Sequence, residues 1–179
     1  RATVGRSRFF MGNLKSKRIQ RWGFAGAWAG LIYATLYIAR PICDFLQKYP
    51  WFSMAINASI VFSVVLIMAV IFRANPHYKA SAYFLFLLVF AGYGWGMVWL
   101  RLPAERLHLI EYGVLAFLIY RALILDLKKP WAYGGAFILT SLIGWGDEGI
   151  QYLLPNRYYE FRDVCLNSAS AALGLFFTF

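Results

Sequence analysis

The chain has 179 residues, 61% of them hydrophobic, 20% aromatic and only 15% charged. A soluble domain of this length has no core large enough for so much apolar surface, so the composition excludes a soluble globular fold and points to an integral membrane protein. A net charge of +10 raises nucleic acid as a partner, yet no aromatic-interleaved soluble domain accompanies it, and the expectation is no nucleic acid.

The cations are unevenly placed. Seven of the eighteen precede the first apolar segment: Arg1, Arg6, Arg8, Lys15, Lys17, Arg18 and Arg21. A basic flank beside a spanning helix is a topogenic signal and favours anionic lipid headgroups. It is not a removable signal peptide, because no small-residue cleavage site follows a short apolar core. Residues 1–21 read as a basic cytoplasmic arm and residues 22–179 as one transmembrane bundle. The arm exceeds what topology needs and suits docking on a cytoplasmic partner.

Six apolar segments follow in chain order: Trp22–Ala39, Trp51–Phe72, Ala80–Leu100, Leu107–Leu127, Trp131–Leu154 and Val164–Phe179. Each is near the roughly 20 residues that span a bilayer core of about 30 Å. The predicted fold is an all-α, polytopic integral membrane helical bundle of about six transmembrane helices. With the N-terminus inside, the arm and Arg73, Lys79, Lys128 and Lys129 place eleven cations on the cytoplasmic side. The outer loops hold six: Arg40, Lys48, Arg101, Arg106, Arg157 and Arg162. That asymmetry predicts a cytoplasmic N-terminus. All acids except Asp126 then fall on the outer half, which predicts a polar site near that surface.

Helical spacing tests whether those groups can meet. At 100° per residue, His108, Glu111 and Tyr112 share one face of the fourth segment. Asp147 and Gln151 are an i, i+4 pair with Glu148 beside them. Asp163, Asn167, Ser170 and Gly174 form a narrow stripe on the sixth. Polar groups at this depth are costly, so convergence on one cavity is expected. Three readings of the cluster compete. Glu111, Asp147 or Glu148 pin the outer loops by pairing with Arg101, Arg106 or Arg157; or the groups bind a headgroup or substrate; or they hold a metal. The metal reading is weak, because His77 is cytoplasmic and leaves one His, and no metal or other cofactor is predicted.

Other signals are thinner. Gly26 and Gly30, and Gly92, Gly94 and Gly96, suit close helix packing. No strand–elbow context supports a serine nucleophile. Cys43 and Cys165 both lie on the outer side, where a disulfide is possible and two thiols are the commoner outcome.

The segments R-L-H-L-I-E-Y and D-E-G-I-Q-Y-L-L-P-N-R-Y-Y-E-F-R-D-V-C-L-N resemble the VanZ-like family of small membrane proteins. Arg106, His108 and Tyr112 match its first motif; Asp147, Glu148, Gln151, Pro155, Arg157, Asp163 and Asn167 match its second, within residues 101–174. Leu109, Asn156 and Ser170 depart from the family's Phe, Gly and Gly, and Ser170 is expected to reduce close helix approach. The resemblance implies a multi-pass protein of a bacterial cytoplasmic (inner) membrane, an association with envelope glycopeptide tolerance and no agreed reaction.

Three functions remain open on these residues. One is a non-enzymatic bundle whose outer cluster recognises a lipid headgroup or envelope precursor. There Arg157 clamps a phosphate or carboxylate, Asp147 and Glu148 orient Arg157 and His108, and Asn167 supplies an amide. The binding set is Arg106, His108, Glu111, Tyr112, Asp147, Glu148, Gln151, Arg157, Asp163 and Asn167. The second is a membrane hydrolase or transferase on a lipid-linked envelope substrate, with His108 and Glu148 as acid/base candidates. The third is an accessory subunit of a larger membrane complex, such as an energy-transducing one. Its contacts would be aromatic lipid-facing helices and the basic arm.

Overall fold

A computed structural model describes residues 2–74, 80–100, 102–154 and 158–178. Arg1, His77, Lys79, Arg101, Pro155, Asn156 and Arg157 lie outside the described residues, and in α1 the described side chains begin at Leu14.

The fold is all-α. Six helices follow one another: α1 Ala2–Leu46, α2 Pro50–Ala74, α3 Ala80–Trp99, α4 Pro103–Leu123, α5 Lys129–Tyr152 and α6 Phe161–Phe176. No strand occurs among the described residues.

Prolines mark several starts. Pro50 opens α2, Pro103 opens α4, and Pro130 sits in the first turn of α5, where its missing N–H would have had no helical acceptor. Leu102, ahead of Pro103, is extended at φ −88° and ψ 131°, as the pyrrolidine ring demands of its predecessor.

The arm and the first apolar segment are one helix. Its 45 residues rise about 68 Å at 1.5 Å each, more than twice the thickness of a bilayer core. Pro41 lies inside this helix rather than ending it, so the final turn carries Cys43 and Asp44 onto the bundle. The fourth apolar segment is helical only to Leu123, because Ile124–Asp126 turn the chain. At 16 residues α6 is the shortest helix.

α4 is the centre. It packs most extensively on α6, then on α1 and α5, and more lightly on α2 and α3. The α4–α6 crossing is backbone to backbone, since a Cβ on Gly174 would fall inside the backbone of Gly113. Small residues permit such an approach, which maximises dispersion contacts. Ser170 does not prevent it. It is fully buried, and its hydroxyl turns back to donate to Leu166 O of its own helix at 2.7 Å. Gly92 and Gly96 seat Leu173 and Leu109, whereas Gly26, Gly30 and Gly94 face open space, so the close packing expected at those three is absent.

Two cores flank α4. Ala25, Ile32, Leu115, Ile119, Ala132, Ala136 and Ala171 join α1, α5 and α6 to one side of it. Ile60, Phe86, Val89, Leu109 and Leu166 join α2, α3 and α6 to the other. The antiparallel course collects the end of α1, the start of α4, the end of α5 and the start of α6 at one pole. The other pole is closed by an Arg18–Asp126 ion pair and by Arg21, which donates to Arg121 O at 2.5 Å. α2 is long and apolar enough to cross a membrane, over Pro50–Val70 with mean hydropathy 2.2, and it is the one helix that meets this criterion among the described residues.

Candidate functional site

The inward face of α5 is built of Ala132, Ala136, Thr140, Gly144, Asp147, Glu148 and Gln151. Small residues run along the stripe until it turns acidic in its last two turns. Asp147 is 0% exposed and Glu148 1%. Burial of ionised carboxylates is costly without hydrogen bonds and charge compensation.

The hydrogen bonds are complete. Tyr112 donates its hydroxyl to Asp147 Oδ2 at 2.5 Å. Gln151, one turn along, donates Nε2 to Asp147 Oδ1 at 3.1 Å and to Glu148 Oε1 at 3.0 Å. The Glu160 backbone N–H donates to Glu148 Oε2 at 3.2 Å. The D-E-x-x-Q spacing thus lets one amide serve two adjacent acids. All four carboxylate oxygens are served, and none of these donors is a Lys or Arg.

Below this network Asn167 donates Nδ2 to Gly144 O at 3.4 Å, and its Oδ1 is buried without a partner. A Cβ on Gly144 would meet Asn167 and Tyr112, so glycine there makes room for both.

Two cavities matter, and the larger is chemically bland. A groove of about 460 Å3 between α2, α4 and α6 is lined by Val64, Ile67, Ile110, Val114, Phe117 and Phe177, among others. The smaller, about 110 Å3, is polar and lies beside the acidic network at the α1, α4, α5 and α6 pole. Asp44 and Gln47 of α1, Glu105, His108 and Glu111 of α4, Gln151 of α5, and Glu160 and Asp163 line it. Chemistry, if there is any, belongs to the smaller cavity.

Its wall holds unsatisfied atoms. Glu105 Oε2, His108 Nδ1 and Asp163 Oδ1 are each buried without a hydrogen-bond partner. His108 Nδ1 stands 3.7 Å from Glu111 Oε2, too far for a hydrogen bond. At the rim Arg162 pairs with Glu105, with Glu160 at 3.9 Å and with Asp163 at 3.7 Å. Burial pushes the Asp163 carboxyl above its usual range, with His108 and Arg162 opposing and Glu160 and Glu105 adding. Burial acts to lower the Arg162 guanidinium, but the hydrogen bond and charge of Glu105 outweigh it and raise the group.

The residues singled out from sequence divide into three. Tyr112, Asp147, Glu148 and Gln151 form the buried network. His108, Glu111 and Asp163 line the cavity, and Asn167 sits behind on Gly144. Arg106 is elsewhere: it donates to Leu100 O at 3.0 Å, to Ser53 Oγ at 3.1 Å and to Asn57 Oδ1 at 2.7 Å, fastening α4 to α2. It pairs with none of the acids it was expected to pin. The phosphate-clamp residue Arg157 lies outside the described residues. No disulfide joins Cys43, which is buried, to Cys165, which is exposed. No group of three or more His, Cys, Asp or Glu side chains among the described residues is arranged to hold a metal ion.

Sequence reasoning put Asp44, Glu105, Glu160 and Arg162 on the outer side but not in the binding set, and it missed Gln47. Glu105, His108 and Glu111 recur at i, i+3 and i+6, the signal that could have found Glu105.

A family model, VanZ/LLP1, matches residues 59–179, about two thirds of the chain. The chain belongs to the VanZ/LLP1 family. It is a VanZ-like membrane protein, and α2 is long and apolar enough to cross a membrane. The match takes in most of α2 and all of α3 to α6, and with them the Tyr112–Asp147–Glu148–Gln151 network. Asp44 and Gln47 of α1 fall before it, so one wall of the cavity comes from outside the matched VanZ-like region. No curated protein and no solved structure matched.

Proposed function

We propose that this VanZ-like protein crosses the membrane six times with its N-terminus inside. Its outer polar cavity recognises a lipid headgroup or a lipid-linked envelope precursor. The observation that carries the reading is a polar cavity of about 110 Å3 at the acidic pole of the bundle. It is backed by two buried carboxylates that already have hydrogen bonds and so act as a fixed electrostatic floor. A group held there need not be activated, only matched in shape and charge.

The six-span topology is supported by the alternating helix order and by the separation of charges. The acids other than Asp126 gather at one pole, and Arg18, Arg21, Arg121 and Lys128 at the other. The positive-inside rule puts the basic pole in the cytoplasm. Arg157, which falls between α5 and α6 in the sequence, supplies a guanidinium for a headgroup phosphate.

The test is lipid co-purification, read by mass spectrometry, of the full chain against Arg157→Ala and Glu111→Gln. The reading expects both variants to change the amount or class of retained lipid while the fold persists. Identical lipid profiles in all three proteins would overturn it.

A further inference from the structure

The cavity is sharply one-sided in its hydrogen-bonding demand. Its lining includes five carboxylates, Asp44, Glu105, Glu111, Glu160 and Asp163, and no Lys or Arg among the described residues. Arg162 at the rim engages Glu105 through Oε1 only, and the second oxygen, Glu105 Oε2, is buried and unpartnered on a side chain 11% exposed. In the same wall Asp163 Oδ1, 3.7 Å from Arg162 Nε, and His108 Nδ1 accept no hydrogen bond. A carboxylate oxygen accepts only, and Nδ1 of a neutral imidazole accepts when its proton sits on Nε2. The wall therefore offers three acceptors that want donors.

Glu111 extends the pattern. Its Oε2 and His108 Nδ1 stand 3.7 Å apart, a spacing at which one N–H-bearing nitrogen can lie roughly 2.9 Å from both. A primary ammonium carries three donors and no acceptor. It matches this demand in sign and in number.

Size and lining narrow the choice further. A water takes about 30 Å3 of liquid volume, so a cavity of about 110 Å3 has room for an ammonium and a short stem. Quaternary ammonium groups have no N–H and are held by aromatic faces. No Phe, Tyr or Trp lines this cavity, so it lacks the faces a trimethylammonium needs. An anionic headgroup would enter among carboxylates and be repelled.

We infer that the outer cavity is selective for a primary ammonium, such as the amine of an ethanolamine headgroup, taken up by Glu105, His108, Glu111 and Asp163. This deepens the headgroup reading above and rests on it for the source of the amine, which is a lipid rather than a free molecule.

The experiment uses the full chain in detergent and native mass spectrometry. Phosphatidylethanolamine, phosphatidylcholine and phosphatidylglycerol with the same acyl chains compete at equal concentration, and free ethanolamine binding is measured in a separate arm. One lost charge-assisted hydrogen bond corresponds to about tenfold, so the ethanolamine lipid should be retained about tenfold over the choline lipid. Glu105→Gln with Asp163→Asn should bring that ratio near one, and His108→Gln should lower it, with thermal melts checking that each variant folds.

Preference for the glycerol lipid that moves with these variants would overturn the ammonium class and leave headgroup recognition standing. Variant-sensitive binding of free ethanolamine without discrimination among lipids would keep the ammonium class and overturn its lipid source. Equal retention of all three lipids in every variant, with no free-amine binding, would overturn both.

Discussion

Tyr112 is the residue on which the buried network turns. Its side chain is 0% exposed, and its hydroxyl supplies the hydrogen bond to Asp147 Oδ2. Phenylalanine keeps the ring packing and deletes that donor. A buried carboxylate left short of a donor loses about 1–3 kcal/mol, so Tyr112→Phe should lower the thermal midpoint in detergent by that order of stability. An unchanged midpoint would mean that water reaches Asp147 in place of the hydroxyl. Much of this network was legible from sequence, because i, i+3 and i+4 spacing is a property of the helix alone. Gln151 had to face Asp147 and Glu148. Arg106 was not legible. It precedes the fourth apolar segment, and its partners Ser53 and Asn57 come from α2, a neighbour that no local spacing announces.

At the scale of elements, α4 and α6 are held by an absence of side chain. Gly113 and Gly174 bring two backbones into contact. A methyl group at Gly174 has nowhere to go unless the helices separate, and separation would also disturb the seat of Asn167 on Gly144. Overpacking of this kind costs about 1–3 kcal/mol. Gly149, by contrast, has nothing within 4 Å of a built Cβ, and alanine there gains up to about 1 kcal/mol of helix propensity. Gly174→Ala should therefore melt below the native chain and Gly149→Ala at or above it. Equal midpoints would show that the crossing is looser than described. The α6 stripe was readable in sequence, but its glycine partner on α4 was not singled out. The end of α1 was hidden for a different reason. The apolar run stops at Ala39, so Arg40–Pro50 reads as a connection, yet Pro41 is accommodated within the helix and α1 delivers Asp44 and Gln47 to the cavity.

For the whole molecule, the decisive property is that its two poles differ in charge. The basic pole is tied by Arg18 to Asp126 and by Arg21 to the end of α4; the acidic pole surrounds a cavity. α2 and α3 lie to one side and expose Phe62, Phe84, Leu87 and Trp95, an apolar face suited to lipid. Fold class followed from composition because a helix is the way to satisfy every backbone polar group of an unbroken apolar segment. The cavity itself needed the structure, since it is assembled from polar residues that run from Asp44 to Asp163 across four helices. The central claim, headgroup recognition at the acidic pole, is tested most directly by a phospholipid carrying a photoactivatable group next to its headgroup. Cross-linked to the full chain in nanodiscs and mapped by peptide mass spectrometry, it should mark the end of α1 and the starts of α4 and α6, around Asp44, Glu105 and Asp163. Competition with unlabelled ethanolamine lipid should remove those marks. Cross-links confined to the apolar faces of α2 and α3, or spread evenly and insensitive to competitor, would contradict it.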